Sequence, residues 1–462
     1  MSQGIVAYAA YLPAHRLALA DVAATLGAGR GKGTRVVASY DEDSTTLAVE
    51  AARAALAGRR PASIWFATTS PAYAEKTNAS AIHAALGLGS DGFAVDVAGS
   101  ARSAQGALRA AAAQPGGLAV LSDVRVGTPG SADELQNADG AAAFLFGPED
   151  EALLVPVATA SVTGEFLDRW RAPGDHSASS WEERFGQEMY TPLIEAATTQ
   201  ALAAAGLSAT DHVVVSCPHT RTATAARAAH GGADVGADLT LGQAGAADLG
   251  LRLADVLDRA EPGQTVLTIS AVDGADATVW RVADRIAGHR ASSPLREQLA
   301  GGREVGYGTY LTWRGLLERE GPRRPDPERP AGPPSARGLD WKFGFVGSRC
   351  DKCGFLHLPP SRVCVSCRVA DQMTPTPLAD ATGTVVTFTV DRLAYSMSPP
   401  VIDAVVDFDG GGRTLLELAD AKPEDITVGS RVGLTFRKLY TSGGVHNYFW
   451  KARILKEARD GE

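Results

Sequence analysis

The chain has 462 residues, 45% hydrophobic and 21% charged, a globular composition too long for one ordinary core, so two or three domains are expected. No apolar run reaches the roughly 18 residues that would span a bilayer, and a net charge of −9 disfavours a general role on nucleic acid or anionic membrane. Met1 to Leu12 shows no basic segment leading into an apolar one, so no secretory leader is expected and a cytoplasmic location is.

Residues 1 to 290 alternate helical stretches with short apolar runs. Asp43–Leu56 combines an N-cap residue with a helical apolar face, and Ile64–Ala67 after it reads as a buried strand. Phe93–Val97 predicts another strand, Ser103–Ala113 a helix and Leu118–Leu121 a third strand. This rhythm argues for a layered α/β domain with a central sheet. An internal repeat sharpens it. Gly99 opens GSARSAQGALRAAAAQPGGLAV, and Gly242 opens GQAGAADLGLRLADVLDRAEPGQTVL. Both run from a Gly-small turn into an Ala-rich helix with Leu-Arg at matching places (Leu108-Arg109, Leu251-Arg252), then Pro-Gly and a strand. The repeat predicts a duplicated α/β half, residues 1–155 and 156–290.

Gly306–Glu318 reads as one more helix or arm. Gly321–Arg337, with six prolines and no apolar periodicity, reads as a linker, so residues 291–340 join two domains. Cys350, Cys353, Cys364 and Cys367 fall within eighteen residues as two CxxC pairs. Two such knuckles complete a tetrahedral thiolate shell with no open position, which predicts a structural zinc ribbon over 341–375. Beyond it, strands are expected at 384–391, 401–408, 414–418, 431–437 and 448–454, a small Greek-key barrel such as an OB-fold over 376–458. From Trp341 onward 15 Lys and Arg stand against 14 Asp and Glu, no electrostatic funnel for single-stranded nucleic acid.

Cys350–Gly354, Leu358–Cys364, Gly383–Val390 and Pro423–Gly429 resemble a family of zinc-ribbon OB-fold proteins that accompany thiolase-superfamily enzymes. The resemblance implies a domain that helps hold the CoA portion of a substrate. Glu42–Glu50, Asp139–Ala143, the segment Asp96–Leu108 and the strand ending at Pro218 resemble the hydroxymethylglutaryl-CoA synthase and β-ketoacyl synthase III branch of the thiolase superfamily. That resemblance implies a duplicated αβαβα fold, an acyl-CoA substrate, a place in lipid metabolism, and a homodimer or a hetero-complex with a thiolase-like protein. It also implies a cysteine nucleophile at the first buried helix, a His after the second-half strand, an Asn in the second Gly turn and a synthase Glu. Here those positions carry Ala101, Ser216, Gln243 and Thr69. Ala101 has no lone pair, and Ser100 beside it has no evident base, so a cysteine acyl-enzyme is not expected.

Four residues nearby remain as candidates. Cys217 is a pocket thiol or a buried small hydrophobe. His219 is an acid/base or a surface or capping His, and Tyr73 a proton donor to an enolate or a packed ring. Arg221 is a CoA phosphate ligand or a solvated side chain. Three functions follow: aldol or retro-aldol chemistry on an acyl-CoA without a covalent intermediate, a non-catalytic CoA-binding subunit of a thiolase-like complex, or an authentic condensing synthase.

Overall fold

The computed structural model describes residues 3–27, 31–230, 239–320 and 336–455; the expected linker lies outside the described residues at 321–335. The chain forms two compact units. The first comprises Met1–Ala38, Asp43–Ser80 and Ser90–Tyr307, the second Ser39–Glu42, Ala81–Gly89 and Gly308–Glu462.

The first unit is built on nine strands: β1 (Gln3–Tyr11), β2 (Ser63–Thr68), β3 (Phe93–Ala98), β4 (Gly117–Asp123), β5 (Gly140–Pro148), β6 (Leu154–Thr163), β7 (His212–Ser216), β8 (Thr265–Ala271) and β9 (Gly274–Val282). Their order is β7-β8-β9-β6-β1-β5-β4-β2-β3. The duplication read from the sequence is visible in the pairing. From the central join, Ile5 opposite Leu154, each half runs antiparallel, antiparallel, parallel: β1-β5-β4-β2 in one and β6-β9-β8-β7 in the other. Such a sheet, covered on both faces, reads as continuous apolar runs, and every residue of β4 is buried.

Two helices follow the two Gly turns, α2 (Ser103–Ala112) and α4 (Asp248–Leu257), after α1 (Ser44–Leu56) and α3 (Glu183–Ala205). All of α4 except Arg252 is buried, and its two acids are paired: Asp248 with Arg252, Asp255 with Arg259 and Arg296. The expected start of α1 is present as a capping box. Asp43 accepts from the Thr45 and Thr46 amides at 3.0 Å, and Thr46 Oγ1 accepts from the Asp43 amide at 2.9 Å.

In the second unit a three-stranded ribbon (Val346–Cys350, Leu356–His357, Met373–Pro377) precedes five antiparallel strands: β10 (Gly383–Asp391), β11 (Val401–Phe408), β12 (Arg413–Glu417), β13 (Arg431–Ser442) and β14 (Val445–Ile454). Their order is β12-β11-β10-β13-β14. Leu418 bridges Ala452, and the Ala419 amide donates to the Ala452 carbonyl at 2.8 Å, which closes the barrel. The last two strands are longer than expected and form one hairpin. Gly443 and Gly444, at φ 57° and 77°, make the two-residue turn that the strand twist favours. The expected arm is also shorter, a helix over Tyr307–Trp313.

The second unit buries a charge cluster that no local motif marks. Arg437 lies 3.1 Å from Asp41, 3.0 Å from Glu42 and 2.5 Å from Asp420. Lys451 reaches Asp41 at 2.8 Å and Glu417 at 2.7 Å. Burial of these ions is tolerable only because each charge is paired and hydrogen-bonded.

Candidate functional site

The four cysteine sulfurs lie within 4.8 Å of one another, with Cys350 and Cys367 3.6 Å apart and Cys353 and Cys364 3.5 Å apart. A tetrahedron with Zn–S bonds of about 2.3 Å has edges of about 3.8 Å. The donor set therefore fits zinc and is too wide for disulfides. All four donors would be used on one ion, so the chemistry it would supply there is structural.

Around Thr69 and the second Gly turn the first unit builds a buried polar network. Asp123, at the end of β4 and fully buried, accepts from the Thr68 hydroxyl (2.8 Å), both the amide (2.7 Å) and hydroxyl (2.8 Å) of Thr69, the Ser70 amide and hydroxyl, and the Ala246 amide (2.7 Å). It ties the turn after β2 to the second Gly turn, where Gly245 has φ 60° and a Cβ would strike Asp123. Thr69 donates its hydroxyl to Asp123 and accepts from Arg125 Nη1 at 2.8 Å. Ser216 is buried in the last register of β7, opposite Ser270. Ala101 is partly buried just before α2. Contrary to expectation Ser100 has a carboxylate neighbour, Asp273, whose acidity burial weakens; a lone carboxylate is a poor base toward an aliphatic hydroxyl.

His219 is paired with a buried carboxylate. Its Nε2 lies 2.6 Å from Asp168 Oδ2, and their side chains are 9% and 0% exposed. The ring packs on Tyr190 at 5.5 Å and against Gly186 of α3, where a Cβ would run into it. No protein group among the described residues takes the other ring nitrogen. A carboxylate behind an imidazole fixes its tautomer and orientation, the arrangement of a general base. Asp168 escaped the sequence reading because nothing in its own segment marks it and it stands 51 residues from His219.

His219 and Gln243 line a cavity of about 250 Å³ with Arg125, Asp133, Asp168 and Trp181. Gln136, Asn137, Glu183, Thr220 and Gln243 also line a second cavity of about 930 Å³, so the two adjoin; the larger one holds Cys217, Arg221 and Lys32. Cys217 is 4% exposed and burial pushes its thiol up to about 12, a poor nucleophile. Arg221 is 76% exposed, 3.5 Å from Glu183. Tyr73 lines neither cavity; its backbone is bonded both ways to Asn78.

Residues 344–372 match the family "ChsH2, rubredoxin-like zinc ribbon domain", and residues 376–437 match "ChsH2, C-terminal OB-fold domain". The chain is 31% identical over 343 residues to the hydroxymethylglutaryl-CoA synthase of Aeropyrum pernix, covering 68% of this chain and 95% of that one. It is 29% identical over 127 residues to a DUF35 domain-containing scaffold protein of Methanocaldococcus jannaschii, covering 26% of this chain and 89% of that one. A solved structure, MvaS in complex with 3-hydroxy-3-methylglutaryl coenzyme A, aligns with a TM-score of 0.59 at 22% identity, over 71% of this chain and 94% of that one. Fold and cysteine centre define a thiolase-like α/β protein carrying a zinc ribbon and an OB-fold. The chain belongs to the hydroxymethylglutaryl-CoA synthase family. No helix among the described residues is long and apolar enough to cross a membrane.

Proposed function

We propose that the protein binds an acyl-CoA thioester and makes or breaks a C–C bond in it by acid–base chemistry, without an acyl-enzyme. The observation that carries this is the buried His219–Asp168 pair, set in a small cavity that adjoins a larger one with cationic Lys32 and Arg221 on its walls. The larger cavity suits the phosphates and pantetheine arm of CoA, and the smaller the acyl group. In the cleavage direction His219 takes the proton of a β-hydroxyl and the Cα–Cβ bond breaks. Its electrons pass to the thioester as an enolate, a ketone or aldehyde leaves, and the enolate is protonated at Cα. Such chemistry needs no thiolate, which accords with Ala101 in the nucleophile's place and with the raised thiol of Cys217. The same facts speak against a condensing synthase.

The test is direct. The purified chain is incubated with 3-hydroxyacyl-CoA thioesters and the released carbonyl compound is measured. Turnover that survives Cys217→Ala and disappears in His219→Ala supports the reading; turnover that survives His219→Ala overturns it. A second reading, a CoA-binding subunit without catalysis of its own, is favoured by the likeness to a scaffold protein. It predicts no turnover alone and activity only after a second thiolase-like chain is added. In either reading we place the protein in the cytoplasm, as a homodimer or in a hetero-complex.

A further inference from the structure

The first unit holds a further cavity, of about 310 Å³, at the end of its sheet opposite His219. Arg59, on its wall, lies just before the start of β2 at Ser63, whereas β2 ends at Thr68, beside Asp123 and the candidate site. β5 likewise starts at Gly140, close to Asn137 of the smaller cavity, and ends just short of Glu151 and Leu153 on the wall of this one. At about 3.3 Å a residue, the six residues of β2 set the two places about 20 Å apart.

Three separate connections bring charge to this cavity. Arg59 comes from the turn before β2, Arg285 and His289 from the segment after β9, and Glu151, between β5 and β6, is the acid among the lining residues. The Arg59 guanidinium donates to the Val6 carbonyl at 3.4 Å, and among the described residues neither it nor Arg285 forms an ion pair with a carboxylate. His289 is half-buried. Burial first, and then the nearby charges of Arg59 and Arg285, hold it below its ordinary pKa of 6.5. Two guanidinium charges against one carboxylate leave the cavity net positive. Val6 and Leu153, 7% and 2% exposed, give it an apolar floor, and such a low-dielectric wall concentrates the field in the hollow.

We propose that this cavity is a second ligand site, for a small molecule that carries a phosphate group. Two guanidinium forks and an imidazole offer donors from separate connections, which suits the several oxygens of a dianion. A carboxylate is satisfied by one fork and leaves the other unmatched. The volume lies at the lower end of the range for small-molecule sites, so there is room for an organic part beside the phosphate. A bound dianion ties together connections whose cations otherwise repel one another, and it stabilises the first unit by mass action. The site is remote from His219 and Asp168 and does not depend on the acyl-CoA reading.

The experiment is calorimetric titration of the full zinc-loaded chain, with the thermal midpoint as a second readout, at low ionic strength because exposed charges are screened by salt. The probes are inorganic phosphate, glycerol 3-phosphate and acetate. Both phosphate probes are expected to bind and to raise the midpoint, and acetate to bind at least about tenfold more weakly. Arg59→Gln and Arg285→Gln each weaken phosphate by about tenfold, the loss of a charged hydrogen bond. Both side chains are exposed, so the midpoint without phosphate and the zinc content stay at their wild-type values. Arg221→Gln, which alters the wall of the larger cavity, leaves phosphate binding at this site intact. Unchanged phosphate affinity in the double variant Arg59→Gln/Arg285→Gln overturns the proposal. Phosphate binding that disappears in Arg221→Gln alone belongs to the larger cavity and overturns it as well. Acetate binding as tightly as phosphate overturns the ligand class, and failure of both phosphate probes to bind or to move the midpoint overturns the site.

Discussion

Arg437→Met removes one charge from the middle of the second unit and keeps most of the side-chain bulk. Arg437 is 0% exposed, and the carboxylates of Asp41, Glu42 and Asp420 around it are 3%, 1% and 6% exposed, so solvent screens none of the loss. Lys451 still faces Asp41 and Arg453 stays 3.9 Å from Asp420, but the short contact of Asp420 with the guanidinium is lost. Removing one partner from a buried ion cluster costs about 3–5 kcal/mol. With an m-value of about 2 kcal/mol per M of urea, the midpoint falls by about 1.5–2.5 M. The assay is urea unfolding followed by the fluorescence of Trp341 and Trp450, both in this unit. Glu42 adds a signature in pH. Burial raises its carboxyl from 4.5 to about 7, so the folded state keeps a proton that the unfolded chain releases. Its contribution to stability is complete below 4.5 and is lost as pH climbs through about 7. Glu42→Gln, neutral throughout, flattens that decline. A midpoint shift below about 0.3 M in Arg437→Met, under about 0.6 kcal/mol on the same slope, or a Glu42→Gln profile that matches the wild type, refutes the reasoning.

Other expectations follow from the site. Cys217, with its thiol pushed up to about 12 by burial, resists iodoacetamide at pH 8 in the zinc-loaded native chain and is labelled once urea is added; rapid native labelling contradicts this. Elemental analysis finds one zinc per chain, and Cys364→Ser, which removes a buried ligand, lowers that content and the thermal midpoint of the second unit. Gly186→Ala displaces the His219 ring, so carbonyl release falls by at least about tenfold, the loss of one hydrogen bond to a charged group, with the zinc content unchanged; wild-type turnover in that variant shows that the ring is not fixed by α3.

What the sequence made legible was local or periodic. The cap at Asp43, the paired CxxC knuckles and the order of elements in the two halves are each written within a short window, and each appears in the structure. The strand ending expected at Arg437 failed because apolar alternation weakens toward Gly443, whereas the turn chemistry of the Gly pair carries the hairpin on. The positions aligned with the family motifs could be named one by one, but not the side chains that meet around them. Asp168 meets His219 across 51 residues, Arg125 meets Thr69 across 56, and Arg437 meets Asp41 across 396. Each is a side-chain encounter fixed by the packing of separate elements, and a polar residue in a loop carries no mark of it. For His219 the sequence left an acid/base and a capping or surface role equally open, and the buried carboxylate beside it lies too far along the chain to be read from its segment.

The central claim is that a CoA thioester is handled here without covalent capture. Intact-protein mass spectrometry of the zinc-loaded chain, quenched in acid during incubation with a thioester that calorimetry shows to be bound, tests it most directly. A single unmodified mass is expected at every time point. An acyl adduct that rises and is chased by unlabelled substrate, whether on Cys217, Ser100 or elsewhere, contradicts it.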